Sequence, residues 1–293
     1  MNRENQFVVD LLIRLRNEKF RPVAWLHFLQ HSWDRSLHTA RENPSLRHSW
    51  LRVTILIAVL AIAILVVSFA FERPGTVLRL LPGFLFCVAW QQSDLFWHLG
   101  LNRQIQTGKL LPTIGSANVC TWIRGLGASF LLGRLAGGVG TSIGLALLVF
   151  LIGIATDILD GQIARRTHTQ SKLGQIGDGE ADFSLYVAMT IILIQDNFLP
   201  LWLGLIMLLR FLVPFLAVLG SYFLLAHPVR FGSTLWGKYA ALAQCLYFLL
   251  LLAPSTLGWL TSLVNLPLLL ITLFLLVAAP TVQIVQSVRA LRS

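Results

Sequence analysis

Long apolar runs, separated by short polar or Gly/Pro-containing breaks, recur along most of this chain. The clearest is LRVTILIAVLAIAILVVSFAF at residues 51–71, long enough as a helix to cross roughly 30 Å of hydrocarbon. ERPG then breaks it, and a weaker apolar stretch follows at about 77–100, interrupted by Gln91, Gln92, Asp94 and His98. From about residue 113 the pattern is regular, with apolar runs near 119–138, 141–160, 181–195, 199–225, 238–254 and 262–288. A membrane β-barrel would instead need segments of about ten alternating residues, which do not occur. The pattern therefore predicts an all-α integral membrane protein. It has a six-helix transmembrane core at 103–293, preceded by an extra transmembrane hairpin at 51–102, about eight spans in all. Residues 1–50 mix FVVDLLIRL with eight Lys/Arg and five Asp/Glu, which predicts amphipathic helices on the membrane surface rather than a signal peptide.

Composition agrees with this reading: 56% of residues are hydrophobic, 12% are charged and the mean hydropathy is +0.72. The formal net charge of +10 does not point to nucleic acid, because no aromatic-and-basic motif accompanies it and the basic residues cluster between apolar runs. It reads instead as a membrane-orientation signal, since cytoplasmic loops are enriched in Lys and Arg. Arg165, Arg166 and Lys172, then Arg230 and Lys238, then Arg289 and Arg292 mark inner segments, whereas GGVGT, DNFLP and PSTLGW carry no basic residue and belong outside. Both ends of the core are then cytoplasmic. Arg73 and Arg79, on the outer side of the hairpin, run against the rule. Cys87, Cys120 and Cys245 lie in separate apolar segments with no CxxC pairing, so they indicate neither a disulfide framework nor a zinc site.

The unusual chemistry is concentrated in DILDGQIARRTHTQSKLGQIGDGEAD, residues 157–182, which holds five of the thirteen acids of the chain. Asp157 and Asp160 are three apart and Asp178 and Asp182 four apart, so each pair shares one face of its helix, while Glu180 points away from that face. Four converging carboxylates repel one another unless a multivalent cation lies between them, and hard oxygen ligands favour Mg²⁺, Mn²⁺ or Ca²⁺. Acids placed at a membrane boundary with such spacing are a functional signal. Gly161 removes a side chain beside Asp160 and Ala164 keeps the next turn slim, so a bulky group can approach. Arg165 offers a fork suited to phosphate oxygens, and Gly174 lets the loop turn before the second acidic helix.

This string reads D-x2-D-G-x2-A-R-x8-G-x3-D-x3-D, and in it the chain resembles the CDP-alcohol phosphotransferase family, matching the family signature at all eight fixed positions. The resemblance covers roughly residues 110–293. It implies a six-helix membrane fold, a CDP-linked lipid donor, an alcohol acceptor, release of CMP, two divalent ions (Mg²⁺ or Mn²⁺) and often a homodimer. Carried over by motif position, it implies metal ligation by Asp157, Asp160 and Asp178, with Asp182 as the general base that also borders the metals. Gly161, Ala164 and Arg165 become contacts to the CDP portion. ANVCTWIRGL resembles the family's entry into its first core helix, which adds Asn118 and Thr121 to the CDP side. STLWGKYAALAQ resembles the glycerophosphate-type members at Ser233, Gly237, Lys238 and Gln244, but has Tyr239 and Ala240 where Lys-Thr is usual.

Arg124, Arg210 and Lys238 stand on three different core helices. If they line one pocket, the acceptor carries a phosphate, as glycerol 3-phosphate or an inositol phosphate does, because three clustered cations need an anion. The expected function is thus phosphatidyl transfer from CDP-diacylglycerol to a phosphorylated polyol, in a bacterial inner membrane, with the active site facing the cytoplasm. The alternatives are the same fold with serine, choline or another unphosphorylated acceptor, or with a small CDP-alcohol donor. An ion-coupled transporter fits less well, because the chain has no internal repeat. An inactive scaffold fits less well too, because every signature residue is intact.

Overall fold

A computed structural model describes residues 3–220, 235–253 and 258–292. The described residues form α1 (Arg3–Asn17), α2 (Pro22–Glu42), α3 (Pro44–Phe71), α4 (Pro74–Trp97), α5 (Ser116–Ala136), α6 (Ile143–Arg166), α7 (Lys172–Gln195), α8 (Leu201–Gly220), α9 (Leu235–Leu251) and α10 (Gly258–Arg292). Several boundaries follow directly from local chemistry. Pro44 and Pro74 open α3 and α4, where a missing N–H removes no helical bond. Ser142 caps α6 by accepting a hydrogen bond from the Leu145 amide at 3.3 Å.

By length and composition three helices can cross a membrane: Pro44–Phe71, Ile143–Arg166 and Leu263–Val282 within α10. Leu201–Val213 and Leu235–Leu251 are shorter apolar helices. The other helices of the expected spans are more polar, as Gln91, Gln92 and Asp94 on α4, Arg124 and Arg134 on α5, and the acids of α7 show. The protein is an integral membrane protein. On α3, Ile55, Val59, Ile62 and Val66 are each more than half exposed, whereas Leu46, Val53, Ile57 and Ala61 on the opposite face are buried. Such a face is stable when its solvent is hydrocarbon.

The chain divides into two compact units, residues 30–192 and residues 1–29 with 193–293. In the first, α4 packs directly on α5 through glycines. A Cβ added to Gly133 would lie 2.7 Å from the Phe84 backbone nitrogen, and one on Gly137 would lie 2.5 Å from the Arg79 carbonyl oxygen. Small residues at these places let the two backbones touch, the usual device where lipid supplies no hydrophobic drive. Gln91 Nε2 donates to the Trp122 carbonyl across the same contact at 2.8 Å. The segment between α4 and α5 then runs over the α6–α7 loop. Ile105 N donates to Gln170 O at 2.9 Å, Lys172 N to Arg103 O at 3.1 Å, and Gln104 Nε2 to His168 O at 2.8 Å. At the other end of α4, Arg134 on α5 is ion-paired to Glu72 at 2.6 Å.

In the second unit α9 packs along α10. Thr272 Oγ1 donates to the Ala243 carbonyl at 3.4 Å, and the Trp236 and Phe274 rings meet edge-on with centroids 6.4 Å apart. Gln244 is buried on α9. Arg230, Ser233 and the break at 254–257 lie outside the described residues.

Candidate active site

The four aspartates reach their places by helix register. Asp157 and Asp160 occupy the last two turns but one of α6, and Asp178 and Asp182 lie one turn apart on α7. Both pairs converge on one side chain of α5, Arg124, which is 1% exposed. Its Nη1 donates to Asp157 Oδ1 at 2.5 Å and lies 3.1 Å from Asp182 Oδ1. Its Nη2 donates to Asp160 Oδ2 at 3.1 Å and also to Asp178 Oδ1. Thr121, one turn before Arg124, donates from Oγ1 to Asp160 Oδ2 at 2.9 Å. Thus α5 holds both acidic helices through a planar fork suited to several carboxylates at once.

The site stays open on one side. Asp157 and Asp178 have side chains 52% and 45% exposed, while Asp160 is 12% exposed. Carboxylate oxygens of Asp157, Asp160 and Asp178 lie within 4.8 Å of one another. One guanidinium faces four carboxyl groups, so the oxygen donors outnumber the protein's own cation there. Hard oxygen donors at this spacing, in excess over the protein's own cation, fit Mg²⁺ or Mn²⁺.

The expected CDP-side residues gather around the same helices. A Cβ on Gly161 would lie 3.1 Å from Arg165 Nη1, so the Arg165 guanidinium folds back over Gly161. Ala164 is half-buried on the same helix. Gly174 differs from its expected role as a loop turn. It lies within the first turn of α7, where its amide donates to Ser171 Oγ at 3.0 Å, and a Cβ there would lie 2.6 Å from Asn118 Oδ1. Its function is clearance: it lets α7 close on Asn118 of α5, the residue expected on the CDP side.

Arg124 was expected among the acceptor groups, and the structure brings it into the carboxylate cluster. Arg210 sits half-buried on α8 with its guanidinium 4.3 Å from the centroid of the Phe211 ring, and Lys238 is exposed on α9. These two belong to the other compact unit. Glu180 faces away from the aspartates, toward Asp94 and His98 at the end of α4. His98 Nδ1 lies 3.1 Å from Asp94 Oδ1. Sequence reasoning overlooked this acidic pairing of α4 with α7, whose one signal was the polar run from Gln91 to His98 within an otherwise apolar stretch.

Comparison with known proteins bears on the same residues. The sequence model of the CDP-alcohol phosphatidyltransferase family matches residues 115–279, from the start of α5 into α10. The chain is 37% identical over 123 residues to a cardiolipin synthase (CMP-forming) of Streptomyces coelicolor, covering 41% of this chain and 55% of that protein. It is 38% identical over 76 residues to a CDP-diacylglycerol–glycerol-3-phosphate 3-phosphatidyltransferase of Treponema pallidum, covering 26% of this chain and 35% of that protein. The chain thus spans about half of the first relative's length and a third of the second's. No solved structure matches it.

Proposed function

This chain belongs to the CDP-alcohol phosphatidyltransferase family, and from that membership we propose that it transfers the phosphatidyl group of CDP-diacylglycerol to a phosphorylated alcohol such as glycerol 3-phosphate or an inositol phosphate, releasing CMP. The observation that carries the reading is the convergence of Asp157, Asp160, Asp178 and Asp182, at the family spacing, on one open-sided cluster. The names of the two relatives, one CMP-forming and one using CDP-diacylglycerol with glycerol 3-phosphate, support the donor and the acceptor class.

In this reading Asp157, Asp160, Asp178 and Asp182 would hold two divalent ions, which would supply positive charge against that of the diphosphate. Arg124 and Thr121 fix the carboxylate rotamers from α5, so the donor meets a prearranged site. Arg165, with Gly161 leaving room beneath it, contacts phosphate oxygens of the CDP portion; Ala164, Asn118 and Thr121 border the same portion. Asp182 accepts the proton of the acceptor hydroxyl as its oxygen bonds to the phosphorus bearing the diacylglycerol. The bond from that phosphorus to the bridging oxygen breaks, and CMP takes the electron pair. Arg210 and Lys238 hold the acceptor phosphate. The enzyme works in a bacterial inner membrane, as a homodimer, with this site facing the cytoplasm.

The test is CMP release from purified protein in proteoliposomes containing CDP-diacylglycerol, with acceptors supplied singly. Turnover with glycerol 3-phosphate or an inositol phosphate is expected. Turnover with serine or choline alone would replace the acceptor assignment, and no CMP with any alcohol would remove the transferase reading.

A further inference from the structure

Arg73 and Arg79 run against the charge pattern expected of the loops, and the structure gives them a common location. Together with Glu72, Thr76, Arg134, Gly140 and Ser142 they line a cavity of about 460 Å³ between the α3–α4 turn and the α5–α6 turn. It sits far from the aspartates. Leu145, which also lines it, is twelve residues before Asp157 on α6, or about 18 Å along the helix.

The cavity is built for an anion. Glu72 is its only acidic lining residue, and it is matched by Arg134 at 2.6 Å, which leaves the charges of Arg73 and Arg79 unmatched within the lining. Arg134 has a side chain 5% exposed, is fixed by a second hydrogen bond to the Gly140 carbonyl at 2.5 Å, and its buried Nε has no hydrogen-bond partner among the described residues. The N-termini of α4 and α6, with Arg73 and Ser142 as their caps, both open into the lining and bring the positive ends of two long helices.

The level of the cavity selects the ligand. It lies where the apolar span of α3 ends at Phe71, and Phe71 and Leu78, close to Arg73 and Arg79 in sequence, are 87% and 60% exposed. A phosphate group with apolar chains attached satisfies both features at once, whereas a zwitterionic headgroup brings a cation of its own beside the two arginines. We propose that this cavity binds the phosphate headgroup of an anionic phospholipid, at a site separate from the aspartate cluster.

The full chain, reconstituted in lipid nanodiscs, would be labelled with phosphatidylglycerol carrying a photoactivatable headgroup, and the adducts mapped by peptide mass spectrometry. Adducts are expected on peptides covering 72–79 or 138–145, displaced by unlabelled phosphatidylglycerol and not by phosphatidylcholine. The Arg73→Ala/Arg79→Ala variant, altered only at exposed positions, is expected to lose labelling at least about tenfold with an unchanged melting temperature in detergent, equivalent to about 1.4 kcal/mol of binding. Asp157→Asn should label as wild type does. Equal displacement by phosphatidylcholine, or full labelling of the double variant, would overturn the proposal. Displacement by inorganic phosphate at the same concentration as phosphatidylglycerol would support the phosphate site and overturn the lipid as its source.

Discussion

Arg124 is where the residue-level physics is most exposed to test, because one buried guanidinium faces four carboxylates. Removing Arg124 leaves Asp160 buried without its cation, while Asp157 and Asp178, about half exposed, are partly solvated, so the cost is less than that of a fully buried pair, about 3–5 kcal/mol. Arg124→Ala is therefore expected to lower the melting temperature in chelator, and Mg²⁺ should restore more stability to this variant than it adds to wild type. Asp157→Asn and Asp160→Asn keep shape but remove an anionic ligand, so each should abolish CMP release, as should chelator on the wild type. Asp182→Asn tests a different role: labelled CDP-lipid should still bind while turnover falls at least about 10²-fold. A parallel fall in binding would make Asp182 chiefly a ligand. The four aspartates were legible in the sequence because helical spacing alone puts each pair on one face. Arg124 was not, since a basic residue on an apolar helix looks the same whether it marks the cytoplasmic side or reaches across to two neighbours. Its contacts are long-range, and no local period announces them.

At the scale of elements, the apolar runs located the helices because burial in hydrocarbon demands continuous apolar length. They missed where α7 begins. The expected run opened at 181, whereas the helix starts at Lys172, because KLGQIGDGE has little hydropathy and is held by contact instead. Gly174 lets α7 close on Asn118, and a Cβ on Gly177 would sit 3.3 Å from the Trp122 ring. The same logic governs α4 and α5, whose glycine contact makes the hairpin part of the core it precedes. Gly133→Leu would force Phe84 and its backbone away, and overpacking of this kind costs about 1–3 kcal/mol or more. A lower melting temperature with weakened CMP release is expected, whereas a variant as stable and active as wild type would mean that the helices part easily.

For the whole molecule, the acceptor assignment depends on Arg210 and Lys238, both in the compact unit of residues 1–29 and 193–293. Arg210→Ala should raise the acceptor KM strongly with little change in the donor KM, and Arg210→Lys should recover only part, because an ammonium cannot reproduce a bidentate fork. Equal loss toward both substrates would place Arg210 outside the acceptor pocket. The ion pairs of Arg124 also bear on biogenesis. Arg124 leaves the ribosome 33 residues before Asp157 and earlier still than Asp160, Asp178 and Asp182. A charge on a lone helix resists insertion, by about 2.5–3.5 kcal/mol at the bilayer centre and by less toward the boundary where these acids stand. Entering as a pair, α5 and α6 bring cation and anions into the lipid together and offset much of that resistance. The order of translation thus delivers the counter-charge first, and the residue that steadies the finished site also eases its acids into the membrane.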